Sequence, residues 1–313
     1  MITLPGDMRS RGAGLKGSPG LPGERVRAGL AVRVIRVVGV EGDIEEDPAS
    51  RQKLISGWRQ DLIRNSRVLV VGAGALGNEI IKNLTLLGVG HIRVVDFDIV
   101  EGSNLSRAVL FTKADARRKA RKVDAIRRSV KRLDPYGYVE VEAYHTDIME
   151  HGSDSPIYKD IDVIFTALDN LEARLHVNAV AYVKRIPLID GGMDGAMGHI
   201  QVVIPPYSSC LNCSVTDRDM KVLSERLKCE GIPLTIGQPK TPAIITTTSV
   251  VAAIMVHEFI KIIHGLDKFK KTGRWDERLG EPLMGKRLFI NLASNIFLKY
   301  TVPISKTCML HEL

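Results

Sequence analysis

Residues 68–107 read VLVVGAGALGNEIIKNLTLLGVGHIRVVDFDIVEGSNLSR. The apolar run Val68, Leu69, Val70, Val71 leads into a loop with glycines at Gly72, Gly74 and Gly77, a helical pattern follows, and a second apolar run ends at Asp96. In a strand–loop–helix–strand unit, each glycine answers a separate need. The first permits the tight turn, the second lets the backbone approach a phosphate, and the third lets the helix pack close to the strand. The start of that helix presents unpaired N–H groups to an anion. Asp96 follows at about twenty residues, the spacing at which a carboxylate holds ribose hydroxyls. A nucleotide site is therefore expected. The glycines alone suit NAD, whereas Ser103-Asn104-Leu105-Ser106-Arg107, just beyond Asp96, argues for ATP.

The chain has 313 residues, 44% of them hydrophobic, enough for one large core or two modest ones. No apolar stretch reads as long and uncharged enough to span a bilayer, and the N-terminus lacks the pattern of a secretory signal. Four cysteines do not make a disulfide framework in a chain this long, so a cytoplasmic location is expected. The net charge of +8 suits a polyphosphate or an acidic protein partner. With no zinc-finger, RRM or helix-turn-helix signature, neither nucleic acid nor membrane is expected as a partner.

Residues 1–45 form a basic segment, rich in glycine and proline up to about residue 30, and are expected to be disordered or weakly ordered. Ala31–Val40 is a possible strand within it, and Ser50–Asn65 looks helical. From Val68 strands and helices alternate, with strands expected over 67–72, 91–96, 138–144, 161–166 and 186–190, and helices over 75–87, 115–133 and 171–183. Alternation of this kind predicts an α/β, Rossmann-like, doubly wound parallel sheet. A mixed or antiparallel extension is expected after it: a strand at His199–Ile204, a helix at Thr247–His264, and a hairpin of Lys286–Leu292 with Asn295–Tyr300.

Several side chains carry chemistry in this frame. Asn104 and Arg107 suit the mouth of the site, where an arginine grips phosphate through a planar fork of donors. The basic segment from Arg117 to Arg132 is mostly a solvated face, with one lysine, Lys119 or Lys122, turned toward phosphates. Asp169-Asn170 follows the apolar run that ends at Leu168, so Asp169 is placed to hold Mg2+, and either residue can also cap the next helix. Cys210 and Cys213 form a C-x-x-C pair, and Cys308 and His311 a C-x-x-H pair, together the ligands of a closed structural Zn2+ site. Cys229 is left unpaired, with Arg226 and Lys228 beside it to favour the thiolate.

From about Arg51 onward the chain resembles the adenylation domain of ubiquitin-activating enzymes. It equally resembles the adenylyltransferases of molybdopterin and thiamine synthesis. The matching motifs are GAGALG, Asp96-Phe97-Asp98, SNLSR, Lys122, Asp169-Asn170 and CLNC. The resemblance implies that residues 46–313 form an ATP-dependent adenylation domain, with 215–245 as a crossover loop. It implies that Asp96 binds ribose with Asp98 beside it, that Asn104, Arg107 and Lys122 meet the phosphates, and that Asp169 binds Mg2+. It implies that Arg51 reaches the γ-phosphate of the other subunit of a homodimer, and that Cys210 and Cys213 are the first zinc pair. The chain departs from the family pattern at Ala75, at Ala108, in the spacing before Lys122, and at His311, where cysteine is usual.

The implied substrate is a ubiquitin-like β-grasp protein ending in Gly-Gly. Its activated carboxyl passes to Cys229 as a thioester, then to a conjugating enzyme. The alternative is a sulfur-carrier adenylyltransferase, of the molybdopterin, thiamine or tRNA-thiolation kind, with no enzyme thioester. An NAD-dependent oxidoreductase leaves Asn104, Arg107, Asp169 and the metal pairs unexplained. An inactive scaffold would normally have lost the phosphate contacts.

Overall fold

A computed structural model of the chain describes residues 47–215 and 242–312. The elements, in chain order, are α1 (Ser50–Lys53), α2 (Gln60–Asn65), β1 (Arg67–Val71), α3 (Ala75–Leu87), β2 (His91–Val95), α4 (Lys113–Arg117), α5 (Lys122–Leu133), β3 (Glu140–Tyr144), β4 (Val163–Thr166), α6 (Leu171–Lys184), β5 (Leu188–Asp194), β6 (Met197–Val203), α7 (Ile245–Thr272), β7 (Lys286–Asn291) and β8 (Ile296–Thr301). Cys229, the first 46 residues and most of the expected crossover loop lie outside the described residues.

The eight strands form one sheet in the order β3-β2-β1-β4-β5-β6-β7-β8. Strands β3 to β5 of that row run parallel, and β6, β7 and β8 are added antiparallel. β1 and β4 are buried but for Arg67 and apolar but for Arg67 and Thr166, as expected of central parallel strands covered on both faces. After β3 the chain crosses to the other side of β1. The ends of β1 and β4 therefore splay their connections apart, and a crevice opens between them.

One core layer lies between the sheet and α3, α5 and α7. The other lies under α6 and includes Ile148, Ile157, Tyr158 and Leu211. α5 buries Val123, Ile126 and Val130 and turns Arg127, Arg128 and Lys131 outward, the amphipathic pattern of a surface helix.

Three expectations need correction. Ser50–Asn65 is two short helices, because Gln52 and Gln60 both turn their amides to the Leu87 carbonyl at the end of α3. The helix expected over 115–133 breaks at Lys119, which adopts φ 50°. There the backbone folds against residues 98–100, with Val100 N donating to Ala120 O at 2.7 Å and Lys122 N to Asp98 O at 3.0 Å. Finally, α7, with 28 residues, is by length and composition long and apolar enough to cross a membrane. Here its apolar residues Val251, Met255, Phe259 and Ile262 are buried in the core, and Phe259 meets Phe165 of β4 at 6.1 Å between ring centroids.

Candidate functional site

The glycine loop joins β1 to α3 at the crevice. Gly72 has φ 98°, and a Cβ there would stand 2.4 Å from the Ala167 carbonyl oxygen. At Gly77 a Cβ would meet the Gly72 carbonyl oxygen at 1.9 Å, so only glycine lets α3 approach the turn. Gly74 is different: a Cβ there would meet nothing within 4 Å, since the residue lines the cavity. No side chain caps α3, which leaves its first N–H groups for a ligand. The loop is braced from beneath by buried Asn78. Its Nδ2 donates to the Ala73 and Gly74 carbonyls at 2.9 Å each, and its Oδ1 accepts from Leu110 N at 3.0 Å. Sequence reading passed over Asn78, although a polar residue on the buried face of an amphipathic helix is a signal that something must satisfy it.

Asp96 directly follows β2 and accepts hydrogen bonds from Ala73 N and Asp98 N, both at 2.7 Å. Burial pushes its carboxyl up, and the Lys122 ammonium and these backbone donors oppose the shift. Lys122 is itself buried and pairs with Asp98 at 2.6 Å, standing 3.9 Å from Asp96. The break before α5 delivers this lysine into the crevice and leaves Lys119 exposed outside it. At the mouth, Asn104 accepts from Glu101 N at 2.9 Å, and Arg107 donates to the Ser103 carbonyl at 2.8 Å.

Asp169 and Asn170 complete the rim from the end of β4. Asn170 is the cap, its Oδ1 accepting from Ala173 N at 2.7 Å, while Asp169 is exposed on the cavity wall. An exposed carboxylate beside a phosphate cradle fits a magnesium ion, which binds through one or two carboxylates and the phosphates themselves. The cavity encloses about 800 Å3 and is lined by Gly72, Gly74, Asp96, Asp98, Asn104, Arg107, Lys122, Asp169 and Asn170. It thus gathers the sequence-read candidates, with Gly77 packed behind the loop.

Arg51 is the exception. It is exposed on α1, which Gln52 ties to Leu87 and, at 2.8 Å, to the Tyr136 hydroxyl. Leu87 lies at the opposite end of α3 from the glycine loop, about 20 Å away for a helix of this length. Arg51 does not line the cavity of its own chain.

A further charged group in the cavity wall escaped sequence reading. Arg174, in the first half of α6, turns its guanidinium back to Asp190 of β5, at 2.8 and 2.9 Å, and to the Leu168 carbonyl. Thr166 also donates to Asp190, at 2.7 Å, and His199 of β6 lies 3.4 Å from Arg174. Burial alone would raise the Asp190 carboxyl, but Arg174, His199 and Thr166 hold it well below the usual carboxylate range.

The sulfur-rich cluster sits apart, in the core layer under α6. Cys210, Cys213, Cys308 and His311 bring their ligand atoms within 4.8 Å of one another. The sulfurs of Cys210 and Cys308 are 3.5 Å apart, too far for a disulfide, and Cys213 Sγ is 3.2 Å from His311 Nε2. Burial pushes the Cys210 thiol up to about 12, so a thiolate there calls for a cation beside it. His311 Nδ1 lies 2.8 Å from the Tyr182 hydroxyl, which leaves Nε2 aimed at the sulfurs, as in a metal-ligating histidine with its outer partner in place. Three sulfurs and one imidazole could hold a metal ion, and the set suits zinc. Tyr182→Phe is expected to weaken zinc affinity about 10–100-fold, measured by competition with a chelator. Unchanged affinity would mean that Tyr182 does not orient His311.

The sequence profile of the ThiF family matches residues 47–301. A Saccharomyces cerevisiae protein named ubiquitin-activating enzyme E1-like is 34% identical over 154 residues, 49% of this chain and 23% of that protein. The NEDD8-activating enzyme E1 catalytic subunit of Arabidopsis thaliana is 33% identical over 172 residues, 51% of this chain and 37% of that one. The chain therefore spans well under half the length of these two relatives. Among solved structures, E. coli MccB with ATP superposes with a TM-score of 0.67 at 21% identity, covering 87% of this chain and 76% of that one. The microcin C7 biosynthetic enzyme MccB in complex with N-formylated MccA gives 0.68 at 21% identity, covering 85% and 75%. At that identity the likeness concerns the fold.

Proposed function

Because the chain belongs to the ThiF family, we propose that it uses ATP to adenylate the C-terminal glycine of a ubiquitin-like β-grasp protein. The acyl group then passes to Cys229 as a thioester and on to a conjugating enzyme. The observation that carries this reading is the single cavity in which a glycine loop, Asp96, Lys122, Arg107 and Asp169 converge.

In the proposed reaction an oxygen of the substrate's terminal carboxylate attacks the α-phosphorus of ATP. Pyrophosphate leaves with its electron pair, and an acyl-adenylate forms. The carboxylate is already ionised, so no general base is required. The chain supplies position and charge instead. The Gly74 backbone and the start of α3 seat phosphate, Asp96 holds the ribose, and Asn104, Arg107 and Lys122 meet negative charge on the phosphates. Magnesium, held by Asp169, would neutralise the departing pyrophosphate. The Cys229 thiolate then attacks the acyl carbon and AMP leaves.

A protein substrate with a free tail suits the surface beside the cavity. In the registered strands β6, β7 and β8, Met197 pairs with Asn291 and that with Ile296, and His199 with Phe289 and that with Leu298. Alternation puts these residues on one face with Tyr300. Met197, His199 and Phe289 line the cavity, while Ile296, Leu298 and Tyr300 are 44 to 55% exposed further out. An apolar sheet face that runs into a nucleotide cavity fits a folded partner whose tail enters it.

Two experiments test the finer claims. With Mg·ATP and a Gly-Gly-ended β-grasp protein of the same genome, wild type should give a thiol-sensitive adduct on a non-reducing gel, absent from Cys229→Ala. Pyrophosphate release without an adduct would instead favour the sulfur-carrier adenylyltransferase. Arg51, too far from its own cavity, is proposed to act across a homodimer. Mixing Arg51→Ala with Asp169→Ala chains should restore one competent site per heterodimer, and no rescue would exclude that role.

A further inference from the structure

We propose that Arg174 is a positioning residue for the metal-binding carboxylate of Asp169, an inference that rests on the magnesium role proposed above for Asp169. The Leu168 carbonyl that Arg174 grips belongs to the peptide bond joining Leu168 to Asp169. A peptide unit is planar, so fixing that oxygen fixes the orientation in which the chain enters Asp169. On the far side, Asn170 is fixed by its hydrogen bond to Ala173 N at 2.7 Å. Asp169 is exposed, yet it stands between a gripped peptide carbonyl on one side and the helix-capping side chain of Asn170 on the other.

The anchor itself is rigid. Asp190 is buried on the central strand β5, takes two bonds from Arg174 Nη1, and also accepts from the Thr166 hydroxyl of β4. The planar guanidinium spans the strand carboxylate and the loop carbonyl at once, which a lysine ammonium cannot do. Gly192 makes room for it: a Cβ there would stand 2.8 Å from Arg174 Nη2 and 2.4 Å from the His199 ring. The arrangement is that of an outer partner, which orients a metal ligand without touching the metal.

The test measures metal binding directly, by water-proton relaxation of Mn2+ titrated into the full chain with a non-hydrolysable ATP analogue. Magnesium half-saturation of pyrophosphate exchange and thermal melting are followed in parallel. Arg174→Lys should raise the metal dissociation constant and the half-saturation on the order of tenfold. Thr166→Val, which removes a different bond to the same Asp190, should lower the melting temperature without moving either metal constant. Should Arg174→Lys fold poorly, the pair Arg174→Met with Asp190→Leu removes the clamp without leaving a buried charge unpaired, and must give the same rise. Metal constants within twofold of wild type in the Arg174 variants would overturn the proposal and reduce the clamp to a structural ion pair. Asp169→Ala separates the two ideas. If it weakens Mn2+ binding while the Arg174 variants do not, only the positioning role fails; if it binds Mn2+ as wild type does, the magnesium reading fails and the proposal with it.

Discussion

Lys122→Met is expected to cut ATP-dependent pyrophosphate exchange on the order of a hundredfold to a thousandfold, the usual cost of removing one fixed charge from a reacting site. The same variant should change the pH dependence of ATP binding. Asp96 must be ionised to accept hydrogen bonds from both ribose hydroxyls. Burial already pushes its carboxyl up, and the Lys122 ammonium at 3.9 Å is the leading force against that. Without the ammonium the carboxyl rises further. The KM for ATP should then climb as pH falls, beginning at a higher pH in Lys122→Met than in wild type. Lys119→Met, on an exposed turn, should change neither quantity. Equal losses in the two variants would refute the assignment of Lys122.

The glycine loop yields the other large effect, and it separates folding from binding. Gly77→Ala sets a methyl group 1.9 Å from the Gly72 carbonyl oxygen, a contact with backbone that no rotamer relieves. Destabilisation of about 3 kcal/mol or more is expected, with nucleotide binding lost as the turn moves. Gly74→Ala places its methyl in open space. Its stability should stay within about 0.5 kcal/mol of wild type, while ATP affinity falls because the methyl occupies the path by which phosphate meets the backbone. Thermal melts beside nucleotide titrations check both. A Gly74→Ala chain that binds ATP normally would place the phosphates elsewhere.

The parts of the fold that sequence reading captured are those written in local chemistry. β1, the glycine loop, α3 and β2 are contiguous, and each carries its own periodicity or turn residue. The hairpin of β7 and β8 was legible for the same reason, within a residue or two at each end. The Cys/His cluster was legible from ligand type, although Cys213 and His311 meet across 98 positions of chain. Contacts between distant segments were hidden. Nothing near Lys119 announces that the helix breaks there, because the cause is a bridge to residues 98–100. Arg174 and Asp190 fall in an expected helix and an expected strand, and only the fold joins them, across 16 positions. The apolar character of α7 is explained by its place in the core, which composition could not distinguish from a membrane span.

The most direct test is exchange of labelled pyrophosphate into ATP by the purified chain with a β-grasp protein of the same genome, its Gly-Gly tail intact or removed. Exchange that appears with the intact tail and vanishes when the tail is removed is the expected result. No exchange under either condition, or exchange indifferent to the tail, would contradict adenylation of a C-terminal glycine.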